Sequence, residues 1–412
     1  MSRRLLRTLT IAAAASCVLI LTGCEAMEPG KQHSTIKQEQ TSRWIATRVG
    51  VMVQLAQQQY AVGDMAKCKE TLGQALALKP DAPGLKLLAG KVFLETGDLE
   101  AALQYLTEAK DIEVSNPEPL YLLGVLNQRW QKNDVALDMY KQAWAYKPSE
   151  PLYMLAMVEM QITLGQLDEA EKVLEEKRTY FEQTAAVRVA LAKVRTLKGD
   201  RDGAVGLLRE ASTLVPDDVN VRYAYGEALF YVKRYSDAVA VFEELRKKPE
   251  SPNRENMMLL LAQSYLEMKR PSDARAVTQE MSREYPNNML AFLIMGKACV
   301  ETGDLPMAAS AARRVLRAEP DNVDALTLMG FVQQKQKRFA DAQVTLERAA
   351  KLSPKDTTVL CLLGMNATSL GKKDAAVEYF ERALEAKPDD DWAKKLLAEV
   401  KPREQAVAPM VD

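Results

Sequence analysis

Few residues in this chain of 412 carry side chains whose type and spacing could do chemistry. Cys24 directly follows an apolar run in "ILTGCEAMEPG", residues 20–30. A thiol there could be acylated, oxidised to a disulfide or bound to a metal. A nucleophile–histidine site would have to use His33, the one histidine, which lies in the polar stretch "GKQHST" and reads as a solvated linker residue. No Walker-type phosphate loop, CxxC or HExxH is present. The carboxylates of Asp389, Asp390 and Asp391 could attract a cation, but acids at a helix start are already favoured by the helix dipole. With Cys17 inside the apolar N-terminal run, Cys68, Cys299 and Cys361 are an odd number at distant positions, whereas a disulfide framework needs an even, clustered set. Cys68, Cys299 and Cys361 therefore read as small buried residues. No catalytic residue, metal site, cofactor or small-molecule substrate is expected, and the chain is not expected to be an enzyme.

Composition sets the remaining bounds. Lys+Arg number 55 against 56 Asp+Glu, so no basic excess points to nucleic acid. The apolar fraction of 47% supports a packed core. At the N-terminus, Arg3, Arg4 and Arg7 precede an apolar stretch from Thr8 to Ile20, shorter than the ~20 residues a spanning helix needs. That pattern predicts an export signal over residues 1–23. It ends in Leu21-Thr22-Gly23-Cys24, which resembles the bacterial lipobox, with Thr22 a mild departure from the usual small residue. The resemblance implies cleavage before Cys24 and lipid on its sulfur. Several acyl chains, at ~0.8 kcal/mol per buried CH₂, make a stable anchor. Removing residues 1–23 takes away three arginines and no acid, so the mature chain is mildly acidic and has no second, electrostatic attraction to a membrane.

The rest of the chain must present a surface, and its organisation is periodic. Setting position 1 at residues 49, 83, 117, 151, 185, 219, 255, 289, 323 and 357 makes every step 34 residues except one of 36. Position 20 is Cys68 and then alanine nine times, from Ala102 and Ala136 to Ala342 and Ala376. Position 8 is Gly90, Gly124, Gly226, Gly296, Gly330 or Gly364, or Ala56, Ala192 or Ala262, with Val158 the larger exception. Two helices crossing closely need small residues at both places. Position 32 is proline seven times, among them Pro80, Pro216 and Pro388, and ends the second helix. Position 33, such as Asp81, Ser149, Asp217 and Asp321, is expected to cap the next helix. Glycine at position 15, as in Gly63 and Gly199, allows the turn between the helices.

This pattern resembles the tetratricopeptide repeat (TPR) over residues 49–390. The resemblance implies an all-α, right-handed superhelical solenoid of about ten helix-turn-helix repeats, with first helices lining a concave groove. The expected organisation is a signal at 1–23, a lipidated tether at 24–34, an N-terminal helix at 35–48, repeats at 49–390, a capping helix at 391–400 and a disordered tail at 401–412. The fourth repeat diverges most, with Val158, Lys177 and Glu182 at positions 8, 27 and 32. The longer step near "KKPESPNREN" reads as a surface bulge.

Family positions 2, 5, 9, 12 and 13 face the groove. Carried onto this register they place Tyr121, Arg129, Glu159, Lys193, Tyr223, Glu227 and Tyr231 as partner-binding residues, with Gln128 and Phe230 beside them. Aromatics alternating with charges suit an extended peptide or a partner helix. The carboxylate clamp of chaperone-binding TPR domains is absent, because positions 5 and 9 are Val53/Gln57, Leu87/Lys91 and Tyr121/Val125. The combined expectation is a lipid-anchored, non-catalytic scaffold that holds proteins or peptides of a bacterial envelope complex. Such lipoproteins resemble those of pilus assembly, secretion or exopolysaccharide export. Glu25, rather than aspartate, after the cysteine favours the outer membrane, facing the periplasm. The alternative is a lipoprotein that activates a peptidoglycan- or polysaccharide-synthesising enzyme.

Overall fold

The computed structural model describes residues 29–248 and 253–401. Among the described residues there are 21 α-helices and no strand. The chain divides into two compact units, Met1–Gln166 and Leu167–Asp412. The first holds α1 (Pro29–Ala61), α2 (Met65–Leu78), α3 (Pro83–Glu95), α4 (Leu99–Ile112), α5 (Pro117–Arg129), α6 (Asn133–Tyr146) and α7 (Pro151–Thr163). The second begins with α8 (Leu167–Arg178), α9 (Ala185–Leu197), α10 (Arg201–Leu214), α11 (Val219–Tyr231) and α12 (Tyr235–Arg246). It continues with α13 (Arg254–Glu267), α14 (Pro271–Glu284), α15 (Met289–Glu301), α16 (Leu305–Ala318) and α17 (Val323–Lys335). It closes with α18 (Phe339–Leu352), α19 (Thr357–Ser369), α20 (Lys373–Ala386) and α21 (Asp391–Val400). Within each unit helices pack on their chain neighbours in antiparallel pairs, the arrangement of an all-α TPR-type solenoid.

The small-residue positions explain the pairing. Cys68 and the alanines of position 20 are almost wholly buried, between 0% and 1% exposed. Cys68 Sγ donates to the Ala56 carbonyl at 3.2 Å, so position 20 lies directly under the backbone at position 8. Position 24 completes the contact. A Cβ added at Gly124 would stand 2.4 Å from the Tyr140 ring, and one at Gly226 would stand 2.6 Å from Phe242. An aromatic at position 24 therefore demands glycine at position 8. Where position 8 is Ala192, position 24 is the smaller Leu208.

The boundaries have equally local causes. Second helices stop two residues before the prolines of position 32, for example at Leu78, Leu214 and Ala386 ahead of Pro80, Pro216 and Pro388. Position 15 is left-handed in every repeat. Glycine supplies it six times, while Gln131, Lys233, Lys269 and Lys337 adopt φ of 57–61°.

Helix starts differ from the expectation. The caps of the first helices sit at position 34, not 33. Asp218 accepts from Asn220 N at 2.8 Å, Asn288 from Ala291 N at 2.8 Å and Asn322 from Ala325 N at 2.9 Å. The helix begins at position 1, so the residue just before it is the one whose side chain reaches the free N–H groups. The aspartate that follows the turn glycine caps the second helix in the same way. Asp200 accepts from Gly203 N at 2.9 Å and Asp98 from Ala101 N at 3.2 Å.

The N-terminal segment also differs. Helix α1 runs unbroken from Pro29 to Ala61, so part of the expected tether, the N-terminal helix and the first helix of repeat 1 form one element. Between Lys37 and Arg48 every side chain but the half-buried Ile45 is exposed, and packing starts at Val49. Cys24 and the expected export signal lie outside the described residues, as do residues 402–412 of the expected tail.

The divergent fourth repeat keeps its small-residue landmarks. Gly165 has φ of 75° and Ala170 is 0% exposed. The boundary between the two units falls between this repeat's two helices, α7 and α8. Around the 36-residue step, Arg246 and Arg254 both pair with Glu280, and Arg254 Nη1 donates to the Arg246 carbonyl at 2.8 Å. Among the described residues, no helix is long and apolar enough to cross a membrane.

Candidate functional site

Two concavities of the second unit each gather side chains from three or more helices. The first is a groove of about 420 Å³ bounded by α9, α10 and α11. Its floor is Val189, Ala192, Leu208, Ala224 and Ala228; its rim carries Lys193, Thr196, Leu197, Arg201, Glu227 and Tyr231. Leu197 and Tyr231 are 55% and 54% exposed, large apolar surfaces at the mouth. Successive first helices approach more closely from α11 and α13 through to α19 and α21 than α9 and α11 do, or α5 and α7.

The second concavity, about 490 Å³, runs from the end of α13 across α15, α17 and α19 to α21. Phe331, Leu266, Val300 and Trp392 give it apolar surface; Glu267, Glu301, Asp324 and Lys297 give it charge. Lys335 Nζ lies 5.2 Å from the centroid of the Phe331 ring. None of these residues was singled out from the sequence, because they come one to three at a time from four separate helices. Trp392 on the capping helix was the available signal.

Three of the seven sequence-predicted residues, Lys193, Glu227 and Tyr231, meet in the first groove. Tyr223 does not line it. It is 8% exposed, its hydroxyl donates to Glu227 Oε1 at 3.1 Å and accepts from Asn256 Nδ2 at 2.6 Å, and burial pushes its pKa up to about 12. Its ring packs 6.5 Å from that of Phe242. Tyr223 thus positions Glu227 from behind. Phe230 is half-buried and stacks edge-on against Tyr231 and Tyr235.

The predicted residues of the first unit have different surroundings. Tyr121 is half-buried between Tyr140 and Tyr153, with ring centroids 5.6 and 5.4 Å away. Arg129 Nη1 donates to the Leu94 carbonyl, so it ties α5 to α3. Gln128 Oε1 accepts from the Tyr140 hydroxyl at 2.9 Å. Glu159 is exposed on α7. Tyr121 and Arg129 are thus used in holding repeats together.

No chemistry collects in either concavity. Among the described residues no group of His, Cys, Asp and Glu could hold a metal. Cys68, Cys299 and Cys361 are free and 0% exposed, and burial pushes the Cys361 thiol up to about 11, away from a reactive thiolate.

Repeats of this length, with a small residue at every helix crossing and first helices facing a concavity, define a tetratricopeptide-type repeat protein. The family model of the cilia and flagella-associated protein 70 C-terminal domain matches residues 195–410, just over half of the chain, and the chain belongs to that family. The tetratricopeptide repeat protein 21 ARM repeat model matches residues 81–239. A curated relative, tetratricopeptide repeat protein 21B of Mus musculus, is 25% identical over 154 residues. That stretch is 36% of this chain and 11% of the relative, so the chain spans only a small part of that protein's length. Among solved structures, the APC/C hetero-tetramer Cut9-Hcn1 aligns with 95% of this chain and 99% of its own, at 13% identity and a TM-score of 0.45. Pseudomonas aeruginosa pilF aligns with 51% of this chain and 94% of its own, at 18% identity and a TM-score of 0.43.

Proposed function

We propose that the chain is a non-catalytic scaffold that holds partner proteins of a bacterial envelope assembly, tethered to a membrane through lipid on Cys24. One observation carries the binding half of this reading: side chains of neighbouring repeats line two open concavities in the second unit. Both have apolar floors and charged rims, the distribution that suits a protein segment. The lipobox-like Leu21-Thr22-Gly23-Cys24 supports the tether, and Glu25 supports the outer membrane.

The two halves have separate tests. Quantitative co-purification from detergent-solubilised envelopes should recover a defined partner set. Tyr231→Ala with Phe331→Ala should reduce that recovery severalfold at an unchanged level of the chain. Unchanged recovery would contradict binding through the grooves. Cys24→Ala should move the protein from the membrane to the soluble fraction with its helical content intact; continued membrane retention would count against the anchor.

A further inference from the structure

The α9–α11 groove and the Tyr121 cluster occupy the same place in the repeat, two repeats apart. Tyr121, Tyr140 and Tyr153 stand at positions 5, 24 and 3 of the next repeat, where the later pair of repeats has Val189, Leu208 and Val221. Aliphatic residues at positions 5 and 24 do not open a pocket by themselves. After Leu87 and Leu106 the next first helix fills the space with Leu122, whereas after Val189 and Leu208 it offers Ala224 and then Ala228. The space that the Tyr121 ring fills in the first unit is therefore open in the second.

We infer that the α9–α11 groove receives an aromatic side chain of a partner protein, from a segment whose neighbouring residues are acidic. The shape argument is internal: in the same register this fold already holds a tyrosine ring against position 24. The charge argument comes from the rim. Arg201 is exposed on the rim and has no ion-pair partner among the described residues. The one acid there, Glu227, keeps its charge but is held in place by the Tyr223 hydroxyl that donates to it. An aromatic anchor in an apolar pocket with charge-matched flanks is the arrangement that concentrates binding energy in a few residues. The inference rests on the scaffold reading and narrows it to one partner chemistry.

The probe is a blocked, fluorescein-labelled peptide, Asp-Glu-Tyr-Glu-Asp flanked by serines, titrated against the full chain by anisotropy. Replacing its tyrosine with alanine should weaken binding at least about tenfold, the cost of losing one buried aromatic anchor. Replacing its acids with lysine should do the same, and added salt should weaken the native pair. Val189→Tyr and Leu208→Tyr with Ala192→Gly, which rebuilds the packing of Tyr121 and Tyr140 over Gly124, should abolish binding. Arg201→Glu, a surface change that leaves the core untouched, should reduce it about tenfold if an acidic flank meets that guanidinium. Equal binding of the tyrosine and alanine peptides, or no effect of either variant, would overturn the inference. So would a loss of self-association in the filled variant, by sedimentation, because it would assign the groove to a second copy. If the Tyr231→Ala/Phe331→Ala chain loses its partners while the filled variant keeps them, the scaffold reading stands and the aromatic pocket falls.

Discussion

Repeat 3 and repeats 5–6 use one backbone arrangement for opposite ends. Around Tyr121 three rings close the concave side, and Arg129 fixes the neighbouring helix by donating to the Leu94 carbonyl. Around Val189 aliphatic and alanine side chains leave a groove of about 420 Å³. A register position thus says where a side chain starts, while the size of three or four neighbours says whether it packs or remains available. In a stack where each repeat touches only its neighbours, one repeat can be spent on cohesion and the next on recognition.

The comparison can be broken most severely at position 24. Tyr140→Ala should cost about 3–5 kcal/mol in urea unfolding, since a buried ring leaves a cavity. Leu208→Ala should cost less, about 2 kcal/mol, because its site already opens on the groove. Equal losses would mean that the groove is as tightly packed as the cluster. At position 8, Gly124→Ala drives a Cβ to 2.4 Å from the Tyr140 ring and should cost about 1–3 kcal/mol. The reverse change opposite Leu208, Ala192→Gly, should cost only the helix-propensity difference of about 1 kcal/mol.

Alkaline pH provides a sharper contrast. Burial raises the pKa of Tyr140, Tyr121 and Tyr153 above the ordinary tyrosine value near 10. A raised pKa in the folded state means stability that is complete below pH ~10 and is lost as pH climbs through the folded values. Val189, Leu208 and Val221 titrate nothing. Melting followed from pH 9 upward should therefore show the decline, and Tyr140→Phe should flatten it, at the cost of the hydrogen bond to Gln128. The smallest effect belongs to the turns. Lys233→Gly relieves a left-handed lysine at φ of 61° and should stabilise by up to about 1 kcal/mol, whereas Gly199→Ala should destabilise.

Sequence reached far into the fold because the helix crossings leave a residue-type record. Alanine nine times at position 20, where every alanine is buried, ties sequence directly to packing. Caps were displaced by one position because polar residues occupy 33 and 34 alike, and only helix phase decides which reaches the N–H groups. The site was less legible for a different reason. A groove is missing bulk, and Ala224 and Ala228 look like any helix former until the rings of the earlier repeat show what fills that place. Tyr223 reads as a groove residue, yet its own neighbours Phe242 and Asn256 draw it inward.

The most direct test is photo-crosslinking in cells from two equivalent places, with the reactive amino acid replacing Tyr121 in one chain and Tyr231 in the other. The expected result is a discrete protein adduct from position 231 and none, or only background, from position 121. Adducts of equal yield from both, or from position 121 alone, would contradict the division between a repeat that packs and a repeat that binds.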